Sequence, residues 1–346
     1  MPHRPPRTVL TAVRRPRAAA LVAVSACLAV AACGGGKKHP VAAPSPTPSL
    51  SPTPSPIPPG SVSPLSGRPA APGQPVLGVK VDNVSGAFPQ AGLTSADIVF
   101  VEQVEGGLTR LLAIFSSDIP KQVGPVRSAR TDNLELLRQF GTPTLAFSGA
   151  NAYVLNAVRS SAIKNGDPDS DPSAYTRVGD HIAPHNLFLD PSALLKVVKP
   201  SPAKSIGLTF DDTPATGGNP ASKVTVTYPM ARLVFTYDKA QRDWVLQQDG
   251  ADDKLEDGKF RRAETVVIIH VRSRRDFDPI TPYNITIGHG NGTVFRDGRA
   301  IPITWTRPTE TSGTTFTDKA GAVVPMRVGQ TWIVVLPEDA SAQGAA

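Results

Sequence analysis

The amino-acid sequence predicts an α+β protein with an N-terminal domain, in which helices pack on a mixed α/β sheet, and a C-terminal domain that is mostly β. Two observations support this class. Between residues 64 and 199, strand-like apolar runs alternate with helical patterns, whereas between residues 223 and 338 they alternate with turn signals. A stretch rich in Pro, Gly, Ser and Asp separates the two patterns, so we predict a linker over residues 200–222.

The N-terminal domain is predicted from four strand patterns and three helix signals. Strands are expected at 76–82, 98–102, 108–115 and 144–147. Helices are expected at 131–140 and 152–159, and a third after Asp190-Pro191. An aspartate cap followed by proline in the first turn is a favoured helix start.

The C-terminal domain is predicted from alternating apolar residues and tight turns. Segments 224–228, 233–237, 266–271 and 332–336 are expected to be strands. The pairs Asp249-Gly250, Asn291-Gly292 and Asp297-Gly298 are typical of hairpin turns. We expect Trp244, Trp305 and Trp332 to pack in the core and not to form sugar platforms. Residues 339–346 are small and polar, which predicts a frayed tail.

Residues 1–32 have the features of a secretory signal peptide. Five arginines and no acidic residue precede an apolar run from 18 to 32, and a basic segment followed by roughly 7–15 apolar residues is typical of such signals. Small residues then lead into Cys33 and a glycine. Lipoprotein processing requires a cysteine at the first mature position, so we predict that Cys33 carries a lipid. The alternative is an ordinary signal peptide in which Cys33 follows small residues by chance.

Residues 33–63 predict a disordered tether between this lipid and the folded part. Proline is interleaved with Ser, Thr and Ala between residues 40 and 59. Such a composition cannot bury a core and favours extended polyproline II conformations. We therefore expect limited proteolysis to cut first within residues 34–63, and the protein to be held at the outer face of the plasma membrane.

The formal net charge of +7 does not indicate a nucleic-acid partner. Five arginines of the signal peptide, with Lys37 and Lys38, account for it, and the chain from residue 64 onwards has no net charge. The excess of positive charge therefore belongs to the predicted signal peptide and tether, and we expect no nucleic-acid partner. Cys33 is the one cysteine of the mature chain, which predicts neither a disulfide nor a cysteine nucleophile.

Several motifs of both domains resemble the YerB-like family of bacterial surface lipoproteins. In the first domain they are 79–83 (VKVDN), 89–93 (PQAGL), 105–110 (EGGLTR), 124–130 (GPVRSAR) and 183–187 (APHNL). In the second domain they are 295–298 (FRDG) and 329–332 (GQTW). The resemblance implies an α+β fold with sheet layers backed by helices. It implies no reaction.

Polar residues of the first domain gather at predicted strand ends and tight turns, which is where sites are usually built on a rigid sheet. Arginines near a helix start can hold a carboxylate or a phosphate. We predict one cleft containing Asp82, Asn83, Glu102, Glu105, Arg110, Arg127, Arg130, His185 and Asn186. This prediction fails if Arg110 and Arg127 lie on opposite faces of the domain.

Other interpretations of these residues stay open at this point. The arginines could pair with the carboxylates only to fix the loops. Glu102 and Glu105 could form an acid/base pair, since carboxylates roughly 5–9.5 Å apart suit glycoside hydrolysis. His181 and His185 could contribute to a zinc site, but the sequence offers no evident third ligand. We predict no metal and no cofactor.

The sequence as a whole favours a non-enzymatic binding protein anchored at the cell surface. Its expected partners are the membrane, through the N-terminal lipid, and an anionic wall component or an envelope protein. A cell-wall hydrolase that uses Glu102 or Glu105 is the first alternative. An envelope scaffold protein is the second.

Overall fold

The structure is a computed structural model that describes residues 61–250 and 254–346. The predicted signal peptide, the predicted lipidation site Cys33 and the predicted tether up to residue 60 lie outside the described residues.

The first half contains the four strands and three helices that the sequence predicts, with three short strands in addition. Aspartate caps the third helix, because Oδ1 of Asp190 accepts a hydrogen bond from the Ala193 amide at 3.0 Å. The elements are β1 (Leu77–Asp82), β2 (Ile98–Gln103), β3 (Thr109–Phe115), α1 (Thr131–Leu137), β4 (Thr144–Ala146), α2 (Ala152–Ser160), β5 (Lys164–Asn165), β6 (Tyr175–Arg177), β7 (Leu187–Leu189) and α3 (Pro191–Val197).

The second half consists of strands and loops, as the sequence predicts. Its elements are β8 (Asn219–Pro220), β9 (Lys223–Tyr228), β10 (Ala231–Asp238), β11 (Asp243–Gln248), β12 (Arg262–Ala263), β13 (Thr265–His270), β14 (Ser273–Arg275), β15 (Pro282–Asn284), β16 (Gly288–Arg296), β17 (Arg299–Arg307), β18 (Thr315–Thr317), β19 (Thr331–Leu336) and β20 (Ser341–Ala345).

A large mixed sheet runs through both halves of the chain. Its strand order is β18-β17-β16-β13-β19-β2-β3-β1-β4-β5, with β8 paired to β17. β19 lies between the two halves, parallel to β13 on one side and to β2 on the other. A second sheet has the order β12-β11-β10-β9-β20. The pairs β14-β15 and β6-β7 form two small ribbons.

The alternation of side chains along the large sheet creates two apolar cores. On one face, residues such as Val99, Leu111 and Trp332 pack against the five-stranded sheet. On the other face, Phe100 and Leu112 pack against the apolar residues of α1 and α2. Side chains of successive strand residues point to opposite faces, so both faces of the central strands are buried. The fold is therefore mostly β, with α1 and α2 packed in one core and Leu194 of α3 in the other.

The described residues belong to one compact unit. The predicted linker over residues 200–222 is mostly irregular, yet Ile206 and Leu208 are buried in the second core. In the described part of the chain, no helix combines the length and the apolar character that a membrane span needs.

Two predictions about the second half are wrong and two are confirmed. Residues 341–345 of the predicted frayed tail form β20, because their backbone groups pair with the edge of β9. Asn291-Gly292 lies inside β16, where Gly292 pairs with both neighbouring strands. Asp297-Gly298 is a hairpin turn with positive φ at both residues. The three tryptophans are buried in the two cores, as predicted.

Candidate functional site

The register of three neighbouring strands brings the first site residues together. Arg110 on β3 lies directly opposite Asp82 on β1 and Glu102 on β2. Its guanidinium turns to Asp82, with Nε 3.1 Å from Oδ1. The ends of these three strands thus place Asp82, Glu102 and Arg110 at one edge of the sheet.

Two further segments bring a second arginine and a histidine to Asp82. The segment around Arg127 pairs with β1 on the same side as β4 and next to its end. The amide of Arg127 donates to the carbonyl oxygen of Lys80 at 2.8 Å. On its other side this segment pairs with β7, through the Val126 amide and the carbonyl oxygen of Leu187 at 2.7 Å. His185 lies two residues before β7 and reaches the same carboxylate.

Asp82 is fully buried and surrounded by four nitrogen atoms, an arrangement we call the Asp82 cluster (Asp82, Arg110, Arg127 and His185). Oδ1 accepts from the Asn83 amide at 2.9 Å and meets Nε of Arg110. Oδ2 lies 2.9 Å from Nε of Arg127 and 2.6 Å from Nδ1 of His185. The contacts from the Asn83 amide and from Nδ1 of His185 are hydrogen bonds, and the two guanidinium contacts are charge contacts, so Asp82 is enclosed and acts as a positioning residue.

The outward atoms of the Asp82 cluster are open. Arg127 meets Asp82 through Nε alone, in a charge contact whose direction departs from that of a hydrogen bond. Within residues 61–250 and 254–346, neither Nη atom of Arg127 donates to another protein group, and both remain accessible. A charged carboxylate can only accept, so Nδ1 of His185 carries a proton, and Nε2, which lies beside Gly86, has no hydrogen-bond partner in that part of the chain.

The cluster carries more positive than negative charge. Burial lowers the pKa of Arg110 from its ordinary value; the charge of Asp82 opposes this, and Arg127 and Arg130 reinforce it. Three guanidinium groups therefore share the neighbourhood with two carboxylates, Asp82 and Glu105. The third carboxylate, Glu102, is bound by a lysine. Within the Asp82 cluster, two guanidinium groups, those of Arg110 and Arg127, contact one carboxylate, that of Asp82.

Glu102 is buried and bound on all sides. Nζ of Lys80 lies 2.5 Å from its Oε2, and Nδ2 of Asn133 lies 3.0 Å from both carboxylate oxygens. A buried, neutralised carboxylate of this kind is not exposed to a substrate. The arrangement argues against the acid/base interpretation for Glu102.

A second buried carboxylate, Asp132, lies beside Glu102. Burial raises the pKa of Asp132 to about 7, and the charge of Glu102 adds to this effect, whereas Lys80 and hydrogen bonds from Asn284 oppose it. Nδ2 of Asn284 donates to Oδ2 of Asp132 at 2.8 Å, which ties α1 to β15 of the second half.

Glu105 and Arg130 form a closed pair. Nε and Nη2 of Arg130 contact the two oxygens of Glu105 at 2.8 and 2.5 Å, and Nη1 donates to the carbonyl oxygens of Ser128 and Ala129. Burial raises the pKa of Glu105, but the hydrogen bonds and charge of Arg130 outweigh this and place it below its ordinary value. Glu105 is thus held as a carboxylate, which does not suit a general acid.

The two predicted asparagines lie outside the Asp82 cluster. The side chain of Asn83 is buried and contacts Thr109 at 2.8 Å and Arg261 at 3.2 Å, so it joins the two sheets. The side chain of Asn186 turns away and accepts from Arg177 at 2.6 Å. The prediction that both line one cleft with the arginines is wrong, because neighbouring residues in an extended segment point in opposite directions.

The two histidines that could have shared a metal are directed to different places. His181 packs against Phe188 and lies 3.7 Å from Glu256, whereas His185 contacts Asp82. Among residues 61–250 and 254–346, no group of three or more His, Cys, Asp or Glu side chains is placed to hold a metal ion.

Five cavities in the described part of the chain lie away from the Asp82 cluster. Their volumes are about 280–400 Å³, and none of the five is lined by Asp82, Arg127 or His185. The smallest of the five lies beside Arg130 and Glu105.

Sequence reasoning missed Lys80, Asn133 and Asp132. Lys80 left a signal, since it interrupts an apolar strand two residues before Asp82, on the same face. A lysine in such a position is seldom fully buried unless it is paired. Asn133 and Asp132 stand in the first turn of α1 and left no comparable signal.

With this geometry established, comparison with known proteins defines the family. The models "Protein of unknown function (DUF3048) N-terminal domain" and "Protein of unknown function (DUF3048) C-terminal domain" match residues 64–204 and 224–333. The chain belongs to this DUF3048 family. The break between the two models, residues 205–223, overlaps the segment predicted as a linker, residues 200–222.

Particular relatives support the same conclusion. The chain is 29% identical over 278 residues to the protein called "Putative lipoprotein YerB" from Bacillus subtilis, covering 76% of this chain and 81% of that protein. The fold matches the crystal structure of the YerB protein from Bacillus subtilis with a TM-score of 0.70, at 24% identity, covering 82% of this chain and 99% of that one. The predicted resemblance to the YerB-like family is thereby confirmed.

Proposed function

We propose that this protein is a lipid-anchored binding protein of the cell surface, and that the Asp82 cluster binds an anionic group of the cell wall or of an envelope protein. The observation that carries the proposal is Arg127. A buried carboxylate holds it through Nε alone and leaves the two Nη atoms to a ligand.

The charge balance supports the same proposal. Arginine–carboxylate pairs in proteins are frequently bidentate, with both carboxylate oxygens bound. Arg127 instead shares one oxygen with His185, next to Arg110 and Arg130. An anion placed at the Nη atoms would relieve the repulsion between these arginines.

The hydrolase alternative receives less support. Glu102 is enclosed by Lys80 and Asn133, and Glu105 is held as a carboxylate by Arg130. A turnover assay on purified peptidoglycan tests this point. We expect that neither Glu102→Gln nor Glu105→Gln removes a peptidoglycan-hydrolysing activity. Activity that disappears in either variant would overturn the binding-protein proposal.

Binding is tested with purified cell wall and the full chain. We expect Arg127→Ala to reduce the bound fraction severalfold, because the Nη atoms are the open donors. The matched control is Arg177→Ala, which removes an equal charge from an exposed position beside Asn186. Equal losses in both variants would indicate nonspecific charge attraction and contradict the proposal.

A membrane pull-down separates the two kinds of anionic partner. If the ligand group belongs to an envelope protein, wild-type chain but not Arg127→Ala retains it, and purified wall binds neither. If it belongs to the wall, the purified wall retains the wild-type chain without any membrane protein. Retention that is identical in wild type and Arg127→Ala in both assays would exclude the Asp82 cluster as the site.

The lipid anchor is tested by cell fractionation. The proposal rests on the processing pattern at Cys33 and on the similarity to a protein described as a lipoprotein. We expect Cys33→Ala to move the protein from the membrane fraction to the soluble fraction. Membrane association that persists unchanged in this variant would refute lipid anchoring through Cys33.

A further inference from the structure

The open face of the Asp82 cluster has two neighbouring parts. Arg127 and His185 contact the same carboxylate oxygen, Oδ2 of Asp82, at 2.9 and 2.6 Å. Their inner nitrogen atoms are therefore side by side. The outer nitrogen atoms, Nη1 and Nη2 of Arg127 and Nε2 of His185, have no hydrogen-bond partner in the described part of the chain, and we call them the open edge of the cluster.

We infer that the bound group is a phosphate monoester, and that His185 makes the site select it over a carboxylate. This inference rests on the proposed function, because it names the chemistry of the same site. It follows from counting the oxygens that each anion presents to that edge.

A carboxylate has two oxygens, and a single guanidinium fork uses both. Arg127 alone would satisfy such a ligand, and Nε2 of His185 would have no partner. A phosphate monoester presents three terminal oxygens. Two can bind the fork of Arg127, and the third is left for His185.

His185 suits this third oxygen in either protonation state. As a neutral imidazole with its proton on Nδ1, it accepts from a protonated phosphate oxygen through Nε2. As an imidazolium, it donates from Nε2 to an unprotonated oxygen. Asp82 contacts the ring at Nδ1, and the backbone of Gly86 lies beside Cδ2 and Nε2.

The ring is also held firmly in place. Nδ1 binds Asp82, the amide of His185 donates to the carbonyl oxygen of Ile182 at 2.9 Å, and the ring lies against Gly86. A methyl group at Gly86 would lie 3.2 Å from Cδ2 of His185, so only glycine allows this close approach without a shift. A donor that is already oriented loses little freedom on binding.

The test is calorimetric titration of the full chain with methyl phosphate, dimethyl phosphate and acetate at constant ionic strength. We expect methyl phosphate to bind more tightly than either of the other two. His185→Gln should weaken methyl phosphate about tenfold, the effect of one charge-assisted hydrogen bond, and leave acetate nearly unchanged. Arg127→Ala should weaken all three anions. His289→Gln and Arg177→Ala, both at exposed positions, are the matched controls.

The outcomes separate the inference from the proposed function. If acetate or dimethyl phosphate binds as tightly as methyl phosphate, or if His185→Gln has no effect, the inference is wrong, and the proposed function survives as long as Arg127→Ala weakens binding. If no anion responds to Arg127→Ala, the proposed function fails as well.

A second measurement requires no variant. In the wild-type chain, methyl phosphate should shift the ring resonances of His185 in an NMR titration, and acetate should not. Equal shifts with both anions would also overturn the inference.

Discussion

Arg127 and Arg130 are three residues apart, yet they meet their carboxylates in different ways. Arg130 binds both oxygens of Glu105 and two carbonyl oxygens, so most of its donors are used within the protein. Arg127 contacts Asp82 with Nε only and shares that oxygen with His185. The comparison teaches that an arginine in a motif is a candidate ligand contact when its partner occupies the Nε edge and leaves the fork open.

Lys80 and Glu102, like Arg130 and Glu105, form an ion pair whose groups are bound within the protein. The first prediction is that Lys80→Met lowers the free energy of unfolding by about 3–5 kcal/mol, because it leaves Glu102 buried without its cation. Chemical denaturation measures this loss. The double variant Lys80→Met/Glu102→Gln should recover much of it. A loss below about 1 kcal/mol would mean that the buried pair contributes little to stability.

The second prediction concerns pH. The pKa of Asp132 is raised from 3.8 to about 7 in the folded protein, so between these values the folded state binds more protons than the unfolded state. The stability that Asp132 contributes is therefore lost as the pH rises from about 4 to about 7. The free energy of unfolding of the wild type, relative to that of Asp132→Asn, which does not titrate at this position, should fall by on the order of 3 kcal/mol over this range. A constant difference between the two proteins from pH 4 to pH 8 would contradict the protonated Asp132.

The third prediction addresses the closed pair itself. Arg130→Ala should lower the free energy of unfolding by about 1–2 kcal/mol, because a partly buried bidentate pair and two bonds to carbonyl oxygens are lost. Glu105→Gln is the companion variant and should cost less, since it keeps one acceptor. Anion binding at Arg127 should change little in either. If Arg130→Ala instead abolishes binding without loss of stability, Arg130 is part of the open site.

The smallest predicted effect is that of Gly86→Ala, which should weaken methyl phosphate about threefold by pressing on the ring of His185. Gly179→Ala is the control, because a methyl group there meets no atom within 4 Å. Calorimetric titration of both variants gives the comparison. If the two variants bind equally, the packing of His185 against Gly86 has no role in recognition.

The sequence predicted much of the fold from local patterns and missed what depends on distant pairing. The strands around Asp82 and Arg110 and the three helices follow from apolar periodicity and from the cap at Asp190. The two halves share one sheet because β19 pairs with β2, and the local sequence pattern of neither strand predicts this pairing. The same holds for β20, whose small residues are ordered by backbone pairing with β9.

The candidate site was predicted in the same uneven manner. Strand ends and turns indicated Asp82, Arg110, Arg127 and His185 because such positions gather at one edge of a sheet. Whether an arginine is open to a ligand, like Arg127, or bound within the protein, like Arg130, depends on which carboxylate each basic side chain contacts. Lys80 and Asn133 bind Glu102, whereas Arg110 contacts Asp82. Sequence spacing does not reveal these pairings.

The central claim is that Arg127 is open for a ligand while Arg130 is used within the fold. The most direct test measures methyl phosphate affinity and melting temperature for Arg127→Ala and Arg130→Ala in parallel. Our account predicts that Arg127→Ala loses at least tenfold in affinity with a nearly unchanged melting temperature, and that Arg130→Ala shows the reverse. A lower melting temperature with unchanged affinity in Arg127→Ala would contradict it, because Arg127 would then serve only to hold the structure.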